Sequence, residues 1–258
     1  LTIAGQSAPE GGILVRDAGF SIAGKEEGTG LPLKKANDVV VRYMRFRPFA
    51  APEGPDFDDA VSVKGASDVI LDHVSASWSV DETLSIYHCE NITVQWCIIS
   101  ESMFNSNHVK SMHGFGGIWG SNYSSYHHNL IAHHSSRNPR FASGAGYTDY
   151  RNNVLYNWGY RSAYGAEARQ KGNDKFSSSH INMVANYYKP GPATQSKVKE
   201  RIANPSTRDG ADDAGKWWVA DNVVEGSPSV TADNWLGVSP SGPEFRLAKP
   251  WPAKAMSQ

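Results

Sequence analysis

Two acidic pairs recur in this sequence at a spacing that suits cation binding. Asp58-Asp59 and Asp81-Glu82 lie 23 residues apart, and each pair ends twelve residues before a strand-like run, at Leu71 and at Val94. If the two segments form adjacent strands, equivalent carboxylates lie about 4.8 Å apart. Like charges that close repel unless a cation separates them, and carboxylate oxygens suit a hard ion such as calcium. We therefore predict a calcium site at these four residues; solvated turn carboxylates are the alternative.

Basic residues follow the acidic pairs along the chain. Lys110 and His113 come first, and Arg137 and Arg140 follow in the run Ser-Arg-Asn-Pro-Arg. The twelve-residue count that aligns the acidic pairs falls on Asn138 in this run, so we place the arginines in the same angular region. A strip that changes from acidic to basic would bind a polyanion through a bridging metal and directly through guanidinium groups. The alternative is ordinary solvated surface charge.

Adjacent histidines raise the question of a zinc site. They occur as His127-His128 and His133-His134. Neighbouring residues of a strand point to opposite faces, so we expect neither pair to act as a two-ligand clamp.

The elements that position these residues are short β-branched and aromatic runs separated by Gly, Asn, Ser and Asp. The runs begin at Val41, Leu71, Val94, Tyr126, Tyr150, Met183 and Val219, with spacings of 30, 23, 32, 24, 33 and 36 residues. A shortest spacing of 23 or 24 with irregular longer ones is typical of stacked coils whose turns carry insertions. We predict an all-β fold, a parallel β-helix or β-solenoid, with a β-sandwich as the main alternative.

Asparagine recurs in phase with these runs. The fourth position of the last four runs is Asn129, Asn153, Asn186 and Asn222. Side-chain amides stacked at one turn can donate to and accept from each other and the backbone. The pattern predicts an Asn ladder along the helix axis, although a single Asn would indicate only a turn.

Composition limits the possible partners. The chain has 258 residues, of which 20% are charged, and its formal net charge is −1. We expect no nucleic-acid partner, no membrane span and a monomer. We predict a β-helix over residues 1–225 and an irregular tail over 226–258, where proline and glycine are frequent. The first six residues resemble a strand entering a turn, so we expect an upstream leader and a cap.

The two cysteines, Cys89 and Cys97, do not form a disulfide framework. Eight residues of strand would separate them by more than the Cα distance of about 4.4–6.8 Å that a bridge requires. We expect buried thiols, and a bridge remains the alternative if a turn intervenes.

Three segments resemble the pectate lyase family, the first of the polysaccharide lyase families. Asp68-Val69-Ile70-Leu71-Asp72-His73 is similar to a family strand that ends in Asp-His, and Tyr126-His127-His128-Asn129 resembles its His-His-Asn strand. Arg137-Asn138-Pro139 matches the Arg-x-Pro signature. The resemblance extends over about residues 37–160. It implies a right-handed parallel β-helix, secreted or periplasmic, that cleaves polygalacturonate by calcium-dependent β-elimination.

The resemblance also implies roles for individual residues. Arg137 corresponds to the catalytic base, and Lys110 to a lysine that contacts substrate beside it. Asp59, Asp81 and Glu82 correspond to the calcium ligands. His113 competes for the role of Lys110 and is expected to bind substrate.

Two positions depart from the family pattern. A second family arginine is Ala142 here, so we assign its substrate contact to Arg140. A further family carboxylate is Ser85.

Two alternatives to a lyase remain. One is a polygalacturonase-like hydrolase of the same solenoid class, with two Asp residues as acid and base. It is disfavoured because its Gly-His-Gly and Arg-Ile-Lys runs are absent. The other is a non-catalytic glycan-binding solenoid.

Overall fold

The computed structural model describes residues 1–24, 36–48, 59–106, 108, 112–169 and 178–253. Every ladder between its strands is parallel, and the strands form three faces of a coil. Face 1 contains Phe20–Ala23, Val61–Lys64, the first half of Leu84–Gln95, Ile118–Asn122, Arg140–Phe141, Ala163–Gly165 and Ala203–Pro205. The predicted parallel β-helix is confirmed.

The other two faces complete each coil. Face 2 contains Thr2–Ala4, Ala36–Arg42, Ala66–Asp72, the second half of Leu84–Gln95, Ser124–His127, Gly146–Arg151, Ser179–Val184 and Lys216–Ala220. Face 3 contains Ile13–Arg16, Met44–Arg47, Ser75–Ser77, Ile98–Ser100, Leu130–Ala132, Val154–Tyr156, Tyr187–Lys189 and Val223–Val224.

The seven predicted runs align on face 2. Their first residues pair in unbroken register from Val41 through Leu71, Val94, Tyr126, Tyr150 and Met183 to Val219. All seven side chains are buried and form one column of the core. Each buried side chain of this size contributes about 1.5–3 kcal/mol, so the column stabilises neighbouring coils together.

A left-handed residue turns the chain from face 2 to face 3 in each of the seven coils from Ala36–Arg42 onward. These residues are Tyr43, His73, Trp96, His128, Asn152, Ala185 and Asp221, with φ between 53° and 60°. The turn at His128 changes the geometry of the first histidine pair, because the Nδ1 atoms of His127 and His128 lie 2.8 Å apart. The expectation that these two rings point to opposite faces was wrong, since it assumed extended backbone at both residues.

The predicted Asn ladder lies just after this turn. Asn153 shows its pattern: its Oδ1 accepts from the backbone N–H and the Nδ2 of Asn129, each at 3.0 Å. Its Nδ2 donates to the carbonyl of Tyr126 at 2.9 Å and to Oδ1 of Asn186 at 3.0 Å. Asn186 and Asn222 repeat these contacts. The ladder is confirmed, and every amide in it is buried.

Different residues end the ladder at its two ends. Asn234 extends it from outside the coil, because its Oδ1 accepts from the N–H and Nδ2 of Asn222. At the other end the ladder position is Cys97, whose N–H donates to Asn129 at 2.9 Å. Its thiol Sγ lies 3.4 Å from the N–H of Val74, and burial raises the pKa of this thiol to about 12. Cys89 and Cys97 are both buried thiols without a disulfide, as expected.

Short helices lie in connections between strands and after the last strand. They are the 3₁₀ helices Gly5–Ser7, Ser196–Val198, Ala211–Asp213, Asn234–Gly237 and Pro243–Phe245, and the α-helix Pro228–Ala232. Single parallel bridges join Ala203 to Val238 and Trp217 to Arg246, so the segment after residue 226 lies along the last strands. The division at 225 and 226 stays a prediction. Within the described ranges no helix is long and apolar enough to cross a membrane.

Candidate active site

Three of the predicted acidic residues meet at the start of face 1. The pairing of Val61 with Leu84 brings Asp59 beside Glu82, and the N–H of Ala60 donates to the carbonyl of Glu82 at 3.1 Å. One carboxylate oxygen from each of Asp59, Asp81 and Glu82 lies within 4.8 Å of the others. We call these three residues the carboxylate cluster. Asp58 lies outside the described residues.

The next coils enter the site in a different register from the one that the sequence predicts. Glu82 is bridged to Phe115, and Phe115 to Ser136, so Ser136 rather than Asn138 aligns with Glu82. The observed register differs from the predicted one for two reasons. The register shifts between Gly120 and Ser121, and face 1 then spans fewer residues per coil than face 2, since Arg140 pairs with Ile118. Arg137 therefore lies one residue beyond the aligned position.

Two glycines permit this close approach. A Cβ on Gly117 would lie 1.8 Å from the carbonyl oxygen of Leu84, and one on Gly116 would lie 2.3 Å from that of Arg137. The Gly117 N–H instead donates to the Arg137 carbonyl at 2.8 Å. This bond holds Arg137 in the left-handed conformation, with φ of 57°. Any larger residue at 117 would push the arginine coil away from the carboxylates.

Arg137 lies directly against the carboxylate cluster. Its guanidinium contacts Glu82, and its Nη1 lies 3.6 Å from Asp81. The guanidinium carbon also lies 4.3 Å from the centroid of the Phe115 ring, which is a cation–π contact. The side chains of Asp81, Glu82 and Arg137 are only 14%, 7% and 22% exposed, so these charges interact with little solvent screening.

Two histidines also approach Asp81. His113 Nε2 lies 2.8 Å from Asp81 Oδ1, and His108 Nε2 lies 3.7 Å from Asp81 Oδ2. Both histidines are buried. His113, which the sequence nominates as a substrate-binding residue, thus contacts the carboxylate cluster. Lys110 lies outside the described residues.

Arg140 is held by a buried carboxylate. Its Nη2 donates to both oxygens of Glu167, at 2.9 and 3.2 Å, and the hydroxyls of Ser143 and Ser206 each donate to Glu167 at 2.8 Å. Burial disfavours ionisation of Glu167. The charge of Arg140 and the two hydroxyl bonds outweigh that effect and hold the pKa of Glu167 below its usual value. Ala142 shares a face of the strand with Arg140, so the Arg140 side chain occupies the space beside it.

These residues line a groove on face 1. It consists of two adjoining cavities of about 390 Å³ each, both bounded by Ile118 and Arg140. The basic residues that line it are Lys64, Arg137, Arg140, Arg161 and Arg208. Three acidic residues, Asp59, Glu82 and Glu167, oppose these five. The groove is therefore suited to a polyanion that also carries or shares a cation.

Several groove residues were missed in the sequence. Lys64 pairs with Tyr87 at the same spacing of 23 residues that aligns Asp59 with Glu82, so this spacing could have identified it. Arg161 follows Arg137 by 24 residues, the spacing that pairs Arg140 with Tyr164, so this spacing could have identified it as well. Glu167 has only Ser143 at that spacing in the preceding coil, so no charged pair marks it. Arg208 follows the long spacing from Tyr164 to Asn204, where the count carries no phase. His108 lies in an irregular loop and has no periodic signal.

The chain is similar to curated fungal proteins. It is 35% identical to "Probable pectate lyase C" of Aspergillus terreus over 195 residues, which are 75% of this chain and 40% of that protein. The protein of that name from Aspergillus fumigatus is 34% identical over the same shares. The one from Emericella nidulans is 34% identical over 75% of this chain and 39% of its own length.

The similarity covers most of this chain but less than half of each relative. The chain spans about 40% of the length of the curated relatives it matches. No family model matches the sequence. The curated similarity covers three quarters of this chain, and the fold is the expected parallel β-helix. On this evidence the chain belongs to the pectate lyase family.

Proposed function

We propose that this chain is a pectate lyase that cleaves α-1,4-linked polygalacturonate by calcium-dependent β-elimination and releases unsaturated oligogalacturonides. The observation that carries the proposal is the contact of Arg137 with the carboxylate cluster on the wall of a basic groove. The names of the curated relatives support the same substrate class.

Calcium fits the donor set of the carboxylate cluster. Asp59, Asp81 and Glu82 supply only oxygen, which hard cations prefer, and the three residues come from two adjacent coils. Carboxylates this close repel each other, and Arg137 now supplies the compensating positive charge. Bound calcium would supply a charge that stabilises the enolate-like carboxylate formed during elimination.

Arg137 has two tasks in this proposal. When a cation neutralises the carboxylate cluster, the guanidinium no longer needs Glu82 as its partner and is available to the groove. In its neutral form it takes the C5 proton of a galacturonate residue. The electrons of that C–H bond form the C4–C5 double bond, the C4–O bond breaks, and the departing oxygen takes a proton from water. The demanding step is the loss of a proton from Arg137 beforehand, since guanidinium groups are almost always charged.

The remaining basic residues bind the polymer. Arg140 is oriented by Glu167 and faces both cavities of the groove, so we assign it to a substrate carboxylate. His113 contacts Asp81 and borders the same cluster. Lys110, which precedes Arg137 in the sequence, is proposed to contact substrate beside it. A polymeric substrate cannot cross a bilayer, so we propose a secreted or periplasmic enzyme, active as a monomer.

A hydrolase is less compatible with the geometry. Inverting hydrolysis requires carboxyl groups about 6.5–9.5 Å apart, with room for a water between them. The oxygens of the carboxylate cluster lie within 4.8 Å of one another. That separation suits one shared cation better than an attacking water.

One experiment separates these activities. The protein is incubated with polygalacturonate and calcium, and ultraviolet absorbance and reducing ends are followed together. Elimination should raise both, because it creates a conjugated double bond at each new end. Reducing ends without absorbance would indicate hydrolysis. No change in either signal, with binding of the polymer retained, would indicate a glycan-binding solenoid.

A further inference from the structure

A second cluster of metal-binding side chains shares Asp81 with the carboxylate cluster. One nitrogen of His108, one nitrogen of His113 and one oxygen of Asp81 lie within 4.8 Å of one another. Both Nε2 atoms face the carboxylate, at 2.8 Å for His113 and 3.7 Å for His108. We call these three residues the imidazole cluster.

The two imidazoles are held parallel and away from solvent. Their rings stack with centroids 4.1 Å apart and an angle of 13° between their planes. His108 is 6% exposed and His113 is 8% exposed. Phe115 packs against the outer side of His113, with centroids 4.3 Å apart. The positions of both rings are therefore defined before any ligand binds, which lowers the cost of ordering them.

The donor sets of the two clusters differ in kind. The carboxylate cluster offers oxygen alone, whereas the imidazole cluster offers two nitrogens and one oxygen. Hard ions such as calcium prefer oxygen, and imidazole suits zinc and other borderline transition metals. Two histidines and one carboxylate also form a recurrent zinc set, which leaves a fourth position for water or substrate.

We propose that Asp81, His108 and His113 bind a divalent transition metal ion of the zinc class, and that this ion competes with calcium for Asp81. The two ligand sets share only Asp81, and the competition rests on the proposed function, which assigns calcium to Asp59, Asp81 and Glu82. Because one carboxylate serves both clusters, each ion weakens the binding of the other by the same factor. Zinc should accordingly inhibit an activity that depends on calcium.

Metal-free protein, prepared by chelation and dialysis, is titrated with zinc chloride and separately with calcium chloride in a calorimeter. His108→Gln and His113→Gln should each weaken zinc binding at least about 10-fold, since each removes a direct ligand. Asp59→Asn should weaken calcium binding and leave zinc binding unchanged, and Asp81→Asn should weaken both. His133→Gln is the matched control, because His133 is an exposed histidine outside both clusters.

A second measurement covers variants that fold poorly. Cobalt chloride added to the metal-free wild type should give a visible absorption band, which zinc should displace and excess calcium should reduce. Zinc affinity that is unchanged in both histidine variants, or a cobalt band that is absent, would overturn the proposal. Zinc binding that depends on Asp59 rather than the histidines would assign zinc to the carboxylate cluster and would also overturn it. None of these outcomes affects the lyase assay in calcium, so the two proposals fail separately.

Discussion

The two edges of face 3 stack polar groups in opposite ways. At the turn from face 2 into face 3, four asparagines in register and Asn234 satisfy one another with neutral hydrogen bonds. At the other edge, where face 3 leads into face 1, three carboxylates and Arg137 lie close together as charges, and the register shifts between coils. At the edge with the Asn ladder, the amides satisfy one another's hydrogen bonds. At the charged edge Arg137 balances the carboxylates, and the proposed function adds a calcium ion there.

The largest expected effect is at Arg137. Arg137→Ala should lower kcat by about 10²–10⁴ if Arg137 is the base, and Arg137→Lys should remain impaired because an ammonium lacks the planar fork. Calcium binding should be retained or tightened, since Arg137 contacts the same carboxylates. The assay is product absorbance at saturating calcium, with Arg16→Ala as an exposed control. A kcat for Arg137→Ala within about threefold of the wild type would exclude a role as base.

Neutralising the carboxylate cluster should affect metal requirement more than folding. Asp81→Asn with Glu82→Gln keeps the side-chain shapes and should raise the calcium concentration for half-maximal activity at least about 10-fold. Activity of the wild type should disappear with a chelator and return with added calcium. The measurement is a calcium titration of initial rates in both proteins. Full activity in excess chelator would remove the metal from the mechanism.

Removing one amide of the Asn ladder should have the opposite effect: the stability should fall and the activity should be preserved. Asn153→Ala should lower the free energy of unfolding by about 1–3 kcal/mol, because buried groups on two neighbouring coils lose their partners. Activity per folded molecule should be preserved. Urea unfolding measures the effect, with the exposed Asn37→Ala as a control. An unchanged midpoint for Asn153→Ala would show that the ladder contributes little to stability.

The ionisation of Glu167 should make the stability of the fold depend on pH in the acidic range. Its folded-state pKa lies below its usual value, so its contribution is complete above the unfolded pKa of about 4.3 and is lost as pH falls through the folded pKa. Glu167→Gln should lower stability at neutral pH and flatten the loss below about pH 4.3. The KM of the Glu167→Gln variant for polygalacturonate should also rise, because Arg140 loses its charged partner. Thermal midpoints across a pH series test the first effect. Parallel pH profiles for wild type and variant would contradict it.

The smallest expected effect concerns Cys97, which lies at the end of the Asn ladder opposite Asn234. Cys97 already occupies a ladder position, and its thiol is a poor substitute for an amide. Cys97→Asn should add a stronger acceptor for the Val74 N–H and raise the free energy of unfolding by up to about 1 kcal/mol. Urea unfolding of wild type and Cys97→Asn provides the comparison. A loss above about 1 kcal/mol would show that the pocket is shaped for sulfur.

The sequence predicts the amide edge better than the charged edge, for a physical reason. The seven face 2 runs pair in the predicted register because each must bury the same inward column, which fixes their phase. Face 1 also buries inward side chains, but one of its coils is shorter than the matching coil of face 2: 21 residues separate Phe115 from Ser136, whereas 24 separate Tyr126 from Tyr150. Ser136 rather than Asn138 therefore aligns with Glu82. The charge pattern indicated Arg137 as a binding residue, but its role as the base required the resemblance to a family.

The pattern of strands also does not predict the local geometry of the turns. The left-handed conformation of His128 brings two rings together that an extended strand would separate. Glu167 was missed because its importance comes from Arg140 and Ser143 on one segment and Ser206 on another, which all reach it. Contacts that depend on loop length cannot be read from periodicity.

The segment over the last coil has a consequence for solubility. A stack of parallel strands exposes unpaired N–H and C=O groups at each end, and such an edge can pair with a strand from another molecule and begin a fibril. The bridges from Val238 to Ala203 and from Arg246 to Trp217 place this segment along the final strands. Asn234 also fills the open end of the amide column. At this end the segment therefore acts as a barrier to intermolecular β-sheet growth, so a chain cut after residue 226 should polymerise where the intact chain stays dispersed.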